Sequence, residues 1–349
     1  MRSGLAGGRL RLTAVLVAIA LAAAACGSSA KATGGSGGGS STTVRVGYFP
    51  NLTHAPALVG INEGIFAKDL VPDQLDASQT FNAGPSEVSA LLSGSIDIAF
   101  IGPSPAVSAY ASSHGAVAII SGAASGGAAL VVKPSITSPA QLRGAKLASP
   151  QEGNTQDVAL KYWLSQNGLS KTVMVEPSAS GNGTVVTEFR SGAIDGAWVP
   201  EPYVAQLVAD GGHVLVNEKS LWPSGQFSTT EVLARTSFVK AHPATVKRFL
   251  TGVVDTLGAL ASDPAGAQQA ANAQLTKVTT KPLSARVLSS AWSDLSFTDN
   301  PLAASVQTQT DHAVAIGAVK NPGSLTGLYN ISILNQVLAA KGKPPVSVP

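Results

Sequence analysis

From residue 44 onward, short apolar runs alternate with stretches of helical period, the mark of βα units around a largely parallel sheet. The pattern predicts strands over 44–49, 75–81, 96–101 and 117–121, with helices over 54–70, 85–92 and 104–112 between them. The same order then returns, as strands over 146–149, 173–175, 194–199 and 214–216 and helices over 155–167, 183–190 and 202–209. The repeat is visible in single residues. The run Ser93-Gly94-Ser95-Ile96-Asp97-Ile98-Ala99 answers to Ser191-Gly192-Ala193-Ile194-Asp195-Gly196-Ala197, 98 residues later. Two α/β lobes of like design follow. A strand over 129–133 leaves the first lobe, one over 230–234 returns to it, and helices over 243–260, 264–274, 284–292, 302–319 and 331–340 complete it.

The segment before residue 44 has a different character. Arg2, Arg9 and Arg11 precede an apolar, small-residue run that ends at Cys26. That is the outline of a lipoprotein signal peptide over 1–25, too short to span a bilayer, with Cys26 as lipid anchor. Residues 26–43 are almost wholly Gly, Ser, Ala and Thr and predict a tether. The domain reading is therefore signal 1–25, tether 26–43, first part of lobe one 44–131, lobe two 132–230 and completion of lobe one 231–349. This places the protein at the cell membrane, anchored on its extracytoplasmic face.

Composition narrows the function further. Only 12% of the 349 residues are charged, against about 25% in typical proteins. Beyond the three leading arginines, acids and bases balance, so no basic footprint for nucleic acid exists. A single cysteine rules out an internal disulfide or a multi-cysteine zinc site. The five histidines show no metal-ligand spacing, and no HExxH, Walker or dinucleotide pattern occurs in the folded part, so neither metal, cofactor nor catalysis is expected. Asp97 and Asp195 open equivalent strands, away from the cleft, and read as structural.

Ligands of open α/β sheets bind beyond the carboxyl ends of the strands. The loops there, 48–54, 102–105, 122–128, 151–155 and 199–203, hold no Lys or Arg. An anion would be held by helix N-termini and neutral side chains. The candidate ligand-binding residues are Tyr48, Asn51, His54, Ser104, Gly126, Asn154, Thr155, Trp198 and Glu201. Trp198 is expected to stack on the ligand and Asn154 to cap its helix. Glu152 and Glu201 favour a ligand that also carries an amine.

The runs Val46-Gly47-Tyr48-Phe49-Pro50, His54-Ala55-Pro56-Ala57, Gly64-Ile65-Phe66, Gly153-Asn154-Thr155 and Trp198-Val199-Pro200-Glu201-Pro202 together resemble the solute-binding proteins of aliphatic sulfonate, taurine and nitrate ABC importers. The resemblance covers residues 44–340. It implies a type II periplasmic-binding-protein fold, hinged at two crossing strands near Val131 and Val232. It also implies a monomer that closes on a small-molecule ligand and delivers it to permease and ATPase subunits. The expected ligand is a small sulfonate or related organic anion; nitrate, bicarbonate and pyrimidine-precursor binders of the same fold are the alternatives, and a thiamine-precursor synthase-like enzyme is the alternative from another class.

Overall fold

The structure, a computed structural model, describes residues 41–178 and 180–349. The expected signal peptide, Cys26 and nearly all of the tether lie outside the described residues. In chain order the first lobe opens with β1 (Thr43–Tyr48), α1 (Ala55–Asn62), α2 (Ile65–Leu70), β2 (Gln74–Thr80), α3 (Gly84–Ser93), β3 (Ile98–Ile101), α4 (Pro103–Ser112) and β4 (Val117–Gly126). The second consists of β5 (Ala128–Val132), β6 (Lys146–Ser149), α5 (Thr155–Gln166), β7 (Met174–Pro177), α6 (Asn182–Ser191), β8 (Gly196–Pro200), α7 (Tyr203–Ala209) and β9 (His213–Asn217). The chain returns through β10 (Ser228–Arg235) to α8 (Thr236–Ala241), α9 (Pro243–Ser262), α10 (Pro264–Thr279), α11 (Ala285–Ser293), β11 (Leu295–Phe297), α12 (Ala303–Ala315) and α13 (Ser332–Ala340).

Two sheets result, in the orders β11-β4-β10-β3-β1-β2 and β7-β6-β8-β5-β9. In each, the strand next to one edge has parallel neighbours: β1 pairs with β2 and β3, and β6 with β7 and β8. The strand arriving from the other lobe, β10 or β5, joins antiparallel. The repeat is carried by the same bonds in both copies. Asp97 accepts from the Arg45 N–H at 3.1 Å at the start of β1, and Asp195 from the Lys146 N–H at 2.8 Å at the start of β6. Each aspartate also pairs with a cation of the incoming strand's end, Arg235 in one lobe and Lys133 in the other. Both act at strand starts, opposite the cleft.

The structure departs from the sequence expectation in several places. The helix expected over 54–70 is two, because Gly64 takes a left-handed conformation (φ 68°) at the start of α2. The lobes change over at Gly126–Gly127, both at positive φ, so residues 128–131 belong to the second sheet. Residues 228–230 likewise belong to the first, which moves both crossings away from Val131 and Val232. The short β11, too brief to show a period, adds an edge strand against β4.

Apolar faces meet where the period places them. Phe66, Phe100 and Phe249 lie together in the first lobe's core, the rings of Phe66 and Phe249 stacked at 5.0 Å. In the second lobe Leu130, Leu147, Leu160, Trp163 and Trp198 form the core under α5. Each sheet carries apolar clusters on both faces, and the ends of β1 and β8 meet where the Leu52 N–H reaches the Glu201 carbonyl.

Candidate functional site

At that junction lies a small cavity of about 10 Å³ lined by Phe49, Asn51, Thr53, His54, Gly102, Asn154, Thr155, Gln156, Asn182, Pro200 and Thr229. Its walls come from both lobes. Residues 49–54 and Gly102 follow β1 and β3, Asn154 to Gln156 open α5, Asn182 opens α6 and Pro200 ends β8. A groove of about 530 Å³ adjoins it, sharing Phe49, Asn51 and Asn182. The cavity has room for about one water molecule. The lobes are in contact around it: the Leu52 N–H donates to the Glu201 carbonyl at 3.2 Å, and Tyr162 of α5 stacks on His312 of α12 at 3.6 Å. A larger ligand requires the lobes to part.

None of the cavity's described lining residues carries a full charge. His54 is neutral: burial pushes its pKa down to about 3. Its Nδ1 accepts from the Phe49 N–H at 3.2 Å, and its ring stacks on Phe49 at 4.5 Å. The remaining proton is therefore on Nε2, a donor. Thr155 Oγ1 and Asn182 Oδ1 are buried without a hydrogen-bond partner, as is Ser104 Oγ in the first turn of α4. Buried polar groups are ordinarily paired, so orphaned oxygens at one spot mark a place where a partner is missing. The main-chain N–H groups opening α5 add a partial positive charge. The Thr155 hydroxyl, His54 Nε2 and these N–H groups can donate to a small electronegative group, while Asn182 Oδ1 can only accept, from a donor on the ligand.

Of the expected ligand residues, Asn51, His54, Asn154 and Thr155 line this cavity. Asn154 stands at the N-cap of α5, but its side chain makes no capping bond. Asp157 serves there instead, accepting from the Gly153 N–H at 3.0 Å and the Ser149 hydroxyl at 2.7 Å. Five residues do not line it. Ser104 is buried beside the cavity residue Gly102, with its hydroxyl free. Gly126 is at the crossing, where a Cβ would stand 2.6 Å from the Asp294 carbonyl. The Tyr48 hydroxyl accepts from Gln274 Nε2 at 3.0 Å inside the first lobe's core.

Trp198 is a correction of the expected stacking wall. Strand alternation sends its ring under the sheet, where it is fully buried, 6.1 Å from Trp163, and donates from Nε1 to Glu218 Oε2 at 2.7 Å. The aromatic wall is Phe49. Glu201 also turns away: its carboxylate accepts from the Ala205 N–H at 3.1 Å, bracing α7. Burial pushes its pKa up to about 8, the nearby Asp294 adding to the shift. Glu152 is exposed and pairs with Lys161. Phe49, Thr53 and Pro200 fall within loops the sequence marks. Gln156, Asn182 and Thr229 went unsingled, and Gly181-Asn182 at a helix start was the available signal for one of them.

Residues 37–275 match the model of the NMT1-like family. The taurine-binding periplasmic protein of Escherichia coli (strain K12) is 31% identical over 204 residues, 57% of this chain and 61% of that protein. The chain thus spans less than two thirds of that relative's length. Among solved structures, the alkanesulfonate-binding protein SsuA from Xanthomonas axonopodis pv. citri bound to MOPS superposes with a TM-score of 0.67 at 20% identity, covering 79% of this chain and 93% of that one. The periplasmic nitrate-binding protein NrtA from Synechocystis PCC 6803 gives 0.71 at 17% identity, covering 86% and 89%. These structures share the two-lobed α/β fold.

Proposed function

The chain belongs to the NMT1-like family, and from that premise we propose that it is the extracytoplasmic substrate-binding component of an ABC importer, taking a small sulfonate or related organic anion between its lobes. The observation that carries this reading is the cavity at the N-terminus of α5, where the Thr155 hydroxyl waits unpaired beside a neutral histidine donor and the opening N–H groups of the helix. Neutral donors suit a monoanion whose charge is spread over several oxygens. Delivery to permease and ATPase subunits, action as a monomer and anchoring through Cys26 belong to the same proposal.

Nitrate is the second ligand class, supported by the likeness to the nitrate-binding structure and the resemblance of Pro200-Glu201-Pro202. A thermal-shift screen of taurine, alkanesulfonates, nitrate, bicarbonate and pyrimidines tests the reading. A compound that binds only the folded protein at 100 times its Kd stabilises it by about 2.7 kcal/mol. Recovery of that compound unaltered after prolonged incubation separates a binder from an enzyme. No stabilisation by any sulfonate or small anion contradicts the proposal.

A further inference from the structure

Glu87 sits in the first turn of α3, fully buried, and neither of its carboxyl oxygens has a partner. Two unpaired buried oxygens on one side chain are costly, so such a residue persists only for a reason. Packing is not that reason, because the repeat supplies a control. The residue 98 positions later, at the same place in α6, is Val185, also fully buried. The strand beneath differs in step. Gly47, which pairs with Ala99 in β3, has as its counterpart Ala148, which pairs with Ala197 in β8. A Cβ on Gly47 would stand 2.8 Å from Glu87 Oε1. The same Cβ would also stand 2.7 Å from Ile96 Cδ1, so the glycine makes room for Ile96 and the Glu87 carboxyl together, where the other lobe has valine over alanine.

The slot borders the cleft. The same point above Gly47 lies 2.9 Å from Cε2 of Phe81, a residue that lines the 530 Å³ groove. At the start of α3, a Cβ on Gly84 would stand 3.3 Å from Asn154 Oδ1 of the cavity. Glu87 is one turn further along, about 5–6 Å from Gly84 on the same helix face. We propose that Glu87 is an acidic subsite for a primary ammonium group on the ligand, opened when the Phe81 ring rotates aside. The inference rests on the reading of the cleft as the ligand site, and narrows the ligand to a short organic anion that carries an amine. Burial holds the Glu87 carboxyl in its protonated form well above the ordinary range. On binding, its proton leaves to solvent and the carboxylate pairs with the ammonium.

The test compares the wild type with Gly47→Ala/Glu87→Val, which imports the second lobe's pair, and with Glu87→Gln, which keeps the shape. The probes are taurine, ethanesulfonate, which lacks the amine, and ethylammonium, which lacks the sulfonate, each followed by calorimetry and thermal shift. The expected result is a wild-type preference for taurine over ethanesulfonate that falls tenfold or more in both variants. Proton release with taurine, read from two buffers of different ionisation enthalpy, is expected to disappear with it. If ethanesulfonate and taurine both fail on the wild type, the sulfonate reading falls. Stabilisation by ethylammonium in the wild type and not in the variants then still supports the subsite. The subsite is overturned if no amine acts on the wild type, or if the variants keep the wild-type response to taurine and ethylammonium.

Discussion

Replacing Glu218 by glutamine should stabilise the protein in alkali and not in acid. Glu218 is buried, accepts from Trp198 Nε1 at 2.7 Å, and has its pKa raised from the ordinary 4.5 to about 7 by burial, the tryptophan bond opposing part of the rise. A raised acid pKa means the folded state holds the proton more tightly than the unfolded chain. No penalty exists below pH 4.5; it grows between 4.5 and 7 and is complete above 7. A shift of that size corresponds to about 3 kcal/mol. A glutamine in this place would still accept from Trp198 and would never need to ionise. Urea denaturation of the wild type and Glu218→Gln at about pH 4.5, 6 and 8 should therefore show near-equal stability at the first pH and a gap approaching about 3 kcal/mol at the last. A gap that does not change with pH would refute the reasoning, since only a titrating group makes it grow.

The paired aspartates should differ sharply. Asp97, 1% exposed, faces Arg45 and Arg235, so Asp97→Asn should cost about 3–5 kcal/mol in chemical denaturation. Asp195, 32% exposed, pairs with Lys133, so Asp195→Asn should cost less than about 1 kcal/mol. Trp198→Phe should lower stability by about 1–3 kcal/mol by stranding Glu218, while ligand affinity by calorimetry stays at the wild-type value. Cys26→Ala should release the protein from the membrane fraction of its host, an outcome read by fractionation and lipid labelling.

Much of the fold is legible in the chain because period and punctuation are local properties. The two copies of Ser-Gly-x-Ile-Asp place a turn, a strand start and a capping aspartate without any long-range information, and the bonds of Asp97 and Asp195 realise them. The side on which a strand residue points is not local. Trp198 reads as a cleft residue because it stands near a strand's end, yet one step of alternation puts Val199 and Trp198 on opposite faces. Glu201 reads as cleft charge for the same reason and instead braces α7. Glu87 shows the converse. An acid in a helix's first turn reads as solvated and favourable to the dipole, and only packing reveals that it is buried against Gly47. The cavity's loops were legible as loops. Their unpaired oxygens emerge only when two lobes bring them together.

The most direct measurement of the central claim is a crystal structure of the protein with the compound that stabilises it in the screen. The ligand's negative end should lie within hydrogen-bonding distance of Thr155 Oγ1, the first N–H groups of α5 and His54 Nε2, with Phe49 alongside and Trp198 untouched beneath the sheet. A ligand seated elsewhere, such as the groove lined by Trp222 and Tyr329, with the cavity at α5 still empty, would contradict it.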